Sequence, residues 1–246
     1  MTTQDSFASR TEMLLHADGV ERLRRAHVLV VGLGGVGGYA AEMLCRAGVG
    51  KMTIVDGDVV SQSNINRQLI ALHSTVGLPK AALFKARFAD INPDCEVDAR
   101  SVFLRDDEMI RLLEEQHYDY VVDAIDTLSP KVFLLYHSHR LGLAVVSSMG
   151  SAGKLDPTQL QIADIGKSHT CPLAAMVRKK LHKLGVREGI DVVFSTEKIP
   201  SHAMIEEPSQ NKRTTIGTIS YLPPAFGCAC ASVVIRNIVK GEGKEL

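Results

Sequence analysis

The stretch Gly32-Leu33-Gly34-Gly35-Val36-Gly37-Gly38 follows the apolar run Val28-Leu29-Val30-Val31 and leads into Tyr39-Ala40-Ala41-Glu42-Met43-Leu44. A β-branched run, then glycines, then an alanine-rich segment of helical spacing predicts strand, tight turn and helix, the opening of a nucleotide-binding βαβ unit. Gly32 permits the turn, Gly34 lets backbone N–H groups approach a phosphate, and Gly37 lets helix and strand pack closely. Phosphates are then expected at the helix N-terminus, where unpaired N–H groups and the positive dipole end favour an anion. Asp56 closes the next predicted strand, Met52-Thr53-Ile54-Val55. Its offset of about twenty residues is that of a carboxylate that binds ribose hydroxyls.

Three further groups could act on a nucleotide. The segment 58–68, ending Asn64-Ile65-Asn66-Arg67-Gln68, is too polar for a core element and follows a strand, which is where α/β sheets bind ligands. Lys80 stands at the start of a predicted helix, with Pro79 in its first turn. A lysine there opposes the helix dipole unless an anion lies in front of it, and the alternative is a solvated surface lysine. Asp123-Ala124-Ile125-Asp126 ends a predicted buried strand. Two acids three apart beside a triphosphate suggest magnesium, which takes one or two carboxylates plus phosphate oxygens; capping the next helix is the other role open to Asp126, in competition with Ser129-Pro130.

The positioning elements follow from periodicity. Residues 8–26 are predicted helical, with Met13, Leu14, Leu15, Val20 and Leu23 on one side and a break at Asp18-Gly19. The helix after the glycine turn is expected to end at a left-handed Gly48. A short alternating strand is predicted at 96–100, an exposed helix at 106–116, a helix at 130–141 and a strand at 144–148. Regular βα alternation then stops. Strands are predicted at 159–165 and 191–195, and between them a helix with Leu173, Val177, Leu181 and Leu184 buried and Arg178, Lys179, Lys180 and Lys183 facing elsewhere. That basic face is either solvated or available to RNA phosphates. Residues 199–218 read as a mobile loop. The last helix, 225–239, stops short of the roughly twenty apolar residues that span a bilayer and carries Arg236, so it reads as a core or subunit-interface helix and not a membrane span.

Lys and Arg number 28, as do Asp and Glu, so no global field draws the chain to nucleic acid or membrane. Any nucleic-acid contact has to come from a local patch. Residues 1–5 lack a basic region followed by an apolar core, which predicts no signal peptide and a reducing cytoplasm. The five cysteines lack any Cys-x-x-Cys pair, so free thiols and no zinc site are expected. Cys45, Cys95, Cys228 and Cys230 read as small buried hydrophobes, and Cys171 as a packing residue or, alternatively, an acyl acceptor.

Gly32-x-Gly34-Gly35-x-Gly37, Asp56, Asn64-x-Asn66-Arg67-Gln68, Gly77-x-Pro79-Lys80 and Asp123-x-x-Asp126, in this order, resemble the adenylation domain of ThiF, MoeB and the ubiquitin-activating enzymes. Ser148-Met149-Gly150-Ser151-Ala152-Gly153, Asp156-Pro157-Thr158 and Ile162-Ala163-Asp164-Ile165-Gly166-Lys167 are similar to one branch, the tRNA threonylcarbamoyladenosine dehydratases. The resemblance implies an α/β, Rossmann-like, mostly parallel sheet flanked by helices, with a mixed C-terminal extension: a nucleotide-binding core over 1–150 and a substrate-binding and dimerisation part over 151–246 of a single domain.

It further implies that the glycine turn with Gly32, Gly34, Gly35 and Gly37 and the residues Asp56, Asn64, Arg67, Gln68 and Lys80 bind ATP. Asp126 would hold Mg2+, and Arg10 would reach the partner's phosphates across a homodimer. The implied chemistry forms an acyl-adenylate from the threonyl carboxylate of threonylcarbamoyladenosine in tRNA. The neighbouring carbamoyl group then closes a five-membered ring and expels AMP, for a net loss of water. A sulfur-relay protein is a further partner implied. Alternatives are an adenylating activator of a ubiquitin-like or sulfur-carrier protein, a nicotinamide-dependent oxidoreductase, and a nucleotide sensor without catalysis.

Overall fold

A computed structural model describes residues 7–205 and 215–240. Strands β1 (His27–Val31), β2 (Lys51–Val55), β3 (Glu96–Arg100), β4 (Tyr120–Asp123), β5 (Val145–Ser148), β6 (Leu160–Asp164) and β7 (Asp191–Ser195) form one sheet in the order β3-β2-β1-β4-β5-β7-β6. Each pairing is parallel except β6 with β7. Strand order reverses at β1, with β2 on one side and β4 on the other, and a crevice opens at the carboxyl ends of such strands. Residues from both halves of the chain build this sheet, since β7 pairs directly with β5.

β1 is buried on both faces, which is why its residues run apolar without alternation. Val28 and Val30 join a core with helices α1 (Ser9–Arg25), α2 (Gly37–Ala47), α3 (Lys80–Ile91) and α7 (Leu222–Lys240). Leu29 and Val31 point to the opposite core, covered by α4 (Asp106–Glu114), α5 (Leu128–Arg140) and α6 (Pro172–Lys183). α2 ends at Gly48 with φ of 95°, as its spacing predicts.

Several local expectations are corrected. The interruption of α1 lies at His16 (φ 60°, ψ 170°), not at Asp18-Gly19; Gly19 is helical and buried, and a Cβ on it would stand 3.0 Å from Leu15 Cβ and 3.1 Å from Val239 Cγ1 on α7. Upstream of this kink Met13 and Leu14 are 82% and 78% exposed, so they leave the predicted apolar side. α4 is not an exposed helix, since Met109, Leu112 and Leu113 seal the second core. On α6 the buried stripe is Ala174, Val177 and Leu181, while Leu184 is exposed beyond the helix end. Cys228 is exposed, whereas Cys45, Cys95, Cys171 and Cys230 are buried.

The segment 199–218 contains a small hairpin, β8 (Met204–Ile205) with β9 (Thr215–Ile216); residues 206–214 lie outside the described residues, as do 1–5. α7, nineteen residues long, is by length and composition able to cross a bilayer. Its packing, not its length, makes it a core helix: Phe226, Cys230, Val233 and Val234 are buried against α2 and the sheet.

The α2–α7 contact is close because Gly227 lacks a side chain. A Cβ there would stand 2.4 Å from the Val36 carbonyl oxygen and 2.9 Å from Tyr39 Cβ. Gly227→Ala is therefore expected to cost about 1–3 kcal/mol through overpacking. Cys228→Ala, one residue along on the exposed side, is expected to stay within about 0.5 kcal/mol. Urea denaturation of the two variants checks the contrast.

Candidate nucleotide-binding site

The glycine turn is held by backbone geometry that side chains would break. Gly32 has φ of 91°, and a Cβ on it would lie 2.7 Å from the Ala124 carbonyl oxygen; one on Gly37 would collide with the Gly32 carbonyl oxygen. Helix α2 has no side-chain N-cap; the Gly38 N–H donates to the Gly34 carbonyl oxygen at 3.1 Å, and the positive end of the helix dipole faces the turn. A Cβ on Gly34 would meet nothing closer than Gln68 Nε2 at 3.6 Å, so the space above this turn is lined by that amide.

Asp56 ties the end of β2 to the turn. Its Oδ2 accepts from the Leu33 N–H at 2.6 Å and its Oδ1 from the Asp58 N–H at 2.8 Å. Burial pushes the Asp56 carboxyl up, while the charge of Lys80 and the two N–H donors pull it back toward ionisation. Both oxygens retain lone pairs for further donors such as ribose hydroxyls. Lys80 is not a solvated surface lysine: it is 4% exposed, and its Nζ lies 3.0 Å from Asp58 Oδ2, an anion in front of the α3 N-terminus.

The polar segment 58–68 folds back over the turn. Asn64 is buried and its Oδ1 accepts from the Ser61 N–H at 3.1 Å, so its amide N–H2 is the part of the side chain able to donate to a ligand. Arg67 lies against Gly35, and its Nη1 donates to the Ser63 carbonyl and to Asn66 Oδ1, both at 2.8 Å. Gln68 is 8% exposed, and its Oε1 is buried without a hydrogen-bond partner among the described residues. A buried amide oxygen without a partner costs about 1–3 kcal/mol, and a hydroxyl or amino donor on a ligand would relieve it. An uncapped helix, a Gly34 that leaves room, a buried lysine and this orphaned oxygen together fit a nucleotide triphosphate.

The two acids after β4 separate in role. Asp123 is fully buried: Lys131 Nζ on α5, also fully buried, pairs with its Oδ2 at 2.7 Å, and Ser147 Oγ donates to the same oxygen at 2.6 Å. This corrects the expectation of two acids at a metal, since Asp123 is committed to an ion pair inside the fold. Lys131 Nζ also donates to the Ile125 carbonyl at 2.9 Å, and the Ile125 N–H donates to Asp123 Oδ1 at 3.1 Å, so the residue before Asp126 is held through both of its backbone polar groups. Asp126 is exposed and is not the helix cap, which is Thr127. One exposed carboxylate beside phosphate oxygens fits Mg2+, which binds through few protein ligands.

Arg10 is the residue that the chain does not bring to this crevice. It is exposed on α1 and lines a groove with Ala47, the last residue of α2, a helix length of about 16 Å from the glycine turn. Three neighbours of the site escaped the sequence reading: Lys131, Pro223 at the start of α7 (3.0 Å from a Cβ on Gly35), and Phe103, whose ring covers Gly57 next to Asp56. None carries a motif: Phe103 and Pro223 reach the site through contacts distant in the chain, and the burial of Lys131 depends on how α5 packs on the sheet.

Removing one member of the buried pair isolates a charge. Lys131→Met is expected to lower stability by about 3–5 kcal/mol, and the double change Asp123→Asn with Lys131→Met to recover part of it. Chemical denaturation of the three proteins measures both effects.

The family model described as the ThiF family matches residues 8–245. The chain is 49% identical over 189 residues to the tRNA threonylcarbamoyladenosine dehydratase of Bacillus subtilis (strain 168), covering 77% of this chain and 74% of that one. It is 36% identical over 234 residues to the enzyme of the same name from Haemophilus influenzae, covering 91% and 89%. Its fold superposes with a TM-score of 0.85 on the crystal structure of the Escherichia coli tRNA N6-threonylcarbamoyladenosine dehydratase in complex with ATP, at 33% identity and 97% coverage of both chains. With a family model matched over nearly its whole length, this chain belongs to the ThiF family.

Proposed function

We propose that the protein is an ATP-dependent dehydratase that cyclises threonylcarbamoyladenosine in tRNA. The observation that carries the reading is a crevice at the β1 switch point with an uncapped α2 N-terminus, buried Lys80, Arg67 against Gly35 and the orphaned Gln68 amide oxygen. The ATP complex of the E. coli relative with the same fold supports it. ATP is the co-substrate, and the substrate's threonyl carboxylate is the nucleophile. A carboxylate is already ionised at neutral pH, so the attack needs no general base from the protein.

Lys80, Arg67 and the α2 amides hold phosphate oxygens and stabilise charge that builds on the leaving pyrophosphate. Gly34 leaves room for the acid to approach the α-phosphorus in line. Asp56 and Gln68 orient the nucleoside end, and Phe103 offers a ring face beside it. Asp126 would hold Mg2+, which would supply neutralisation of phosphate charge. After pyrophosphate leaves, ring closure is intramolecular, so a high effective molarity replaces a protein thiolate. Buried Cys171 packs and does not carry the acyl group.

The working protein is a homodimer among cytoplasmic tRNA. Exposed Leu14 and its neighbour Leu15 line a largely apolar groove of about 450 Å³ between α1 and α7, flanked by Arg10 and Arg236. A second copy would cover these side chains, which a monomer rarely leaves in water, and would bring Arg10 to the opposite crevice.

Asp126→Ala and Arg67→Ala are expected to lower AMP release by about a hundredfold or more with the far-ultraviolet spectrum unchanged. Chelation should stop the wild type and added magnesium restore it. Mass spectrometry of digested tRNA reads the loss of one water from threonylcarbamoyladenosine; equal AMP release by wild type and variants would remove these residues from the mechanism. Arg10→Ala and Asp126→Ala, each inactive alone, should recover about a quarter of wild-type activity when equal amounts are mixed and exchanged, since one crevice of each mixed dimer is then intact.

A further inference from the structure

α5 and α6 together contain no Asp or Glu, although the whole chain is neutral. Lys179, Lys180 and Lys183 are exposed on α6 and Arg140 is exposed at the end of α5. Between the helices lies a cavity of about 240 Å³, lined by Phe133, Tyr136 and His137 from one side and Lys180 from the other. The three rings are half-buried and mutually packed: Phe133 and His137 centroids are 4.3 Å apart, Tyr136 and His137 meet edge-on at 5.1 Å, and Arg140 lies over the Tyr136 ring at 5.8 Å. The charge is not unopposed, because Glu114 at the end of α4 acts on His137.

The cavity's α5 lining begins at Ser129, three residues past Asp126, and reaches Tyr136, about 10 Å along the helix. Aromatic faces with cations around them are the chemistry that holds unpaired nucleotides, the rings taking bases and the cations the phosphates. At about 240 Å³ the cavity is smaller than the ~300–1,000 Å³ of drug-sized ligand sites. That suits one base, not a whole nucleotide triphosphate. An acid that must reach ATP in the crevice requires its nucleoside to leave any helical stack, which presents the neighbouring nucleotides to the protein unpaired.

The geometry points to the α5–α6 groove as the site that grips single-stranded RNA next to the reacting adenosine, with Tyr136 and Phe133 stacking a base and Lys180 and Lys183 binding its phosphates. This rests on the dehydratase reading and adds where the RNA lies. An apolar segment of a partner protein would gain nothing from the lysines and arginine that α5 and α6 place around the groove.

The test uses a fluorescent RNA hairpin with an adenosine-containing loop, the matching blunt duplex, and full-length protein with ATP. Tyr136→Leu and, separately, Lys180→Glu are expected to weaken hairpin binding by about tenfold, with ATP affinity and unfolding midpoint held. The hairpin should bind more tightly than the duplex, and 4-thiouridine in its loop should crosslink to α5 peptides. Hairpin affinity unchanged in both variants, as a groove made for a protein partner would give, overturns the proposal, and so does duplex binding as tight as the hairpin's. Loss of water from the tRNA nucleoside without an α5 crosslink sinks the groove and leaves the dehydratase reading standing. An α5 crosslink with no water loss supports the groove and removes the reading.

Discussion

The carboxylate of Asp123 and the ammonium of Lys131 meet at 2.7 Å with neither exposed to water, and the crevice takes its shape from that pair. Two charges without solvent cost several kcal/mol each unless their remaining hydrogen-bonding capacity is filled. Ser147, the Ile125 N–H and the Ile125 carbonyl fill it. The same bonds lock β4, β5 and α5 together and hold the 124–127 loop in one conformation. Ala124 in that loop is the floor on which the glycine turn rests, since a side chain on Gly32 or Gly37 would strike it. The pair thus sets the spacing between the phosphate turn and Asp126.

A second constraint is the closeness of α2 and α7. Gly227 admits the Val36 carbonyl, and Pro223 reaches the edge of Gly35, so the last helix of the chain braces the first nucleotide element. β7 enters the sheet beside β5 and β6 closes that edge antiparallel. The C-terminal part is therefore a continuation of the nucleotide fold that also supplies one wall of its crevice, and its α6 stands next to α5 to form the aromatic groove.

Charge is sorted within a chain of zero net charge. Arg67 lies against Gly35 of the glycine turn, Lys80 pairs with Asp58 beside Asp56, and α5 and α6 carry cations and no acids of their own. Asp56 carries two demands, holding the turn through Leu33 and Asp58 while keeping lone pairs for a ligand, and burial raises its pKa against the pull of Lys80. Local sorting of this kind concentrates positive charge in two places of a chain with no net charge.

Strand, turn and helix around residues 28–47, the β2 carboxylate, the left-handed Gly48 and the sheet class were legible from residue order, because each depends on backbone sterics and periodicity within a few residues. The polar segment and Lys80 were legible as candidates for the same reason. Asp123's partner was not, since nothing nearby in the chain distinguishes a lysine that will be buried at position 131. Cys228 turning outward, the kink at His16 in place of Gly19, and Leu184 leaving its stripe depend on where α1, α6 and α7 dock. Residue order by itself determined which chemistry the chain can offer and roughly along which strand ends. Only the tertiary structure decided which charges are paired away, which oxygen is left orphaned and which aromatic rings line a groove, because those outcomes depend on how helices dock on the sheet and on one another, and docking leaves no periodic trace in the sequence.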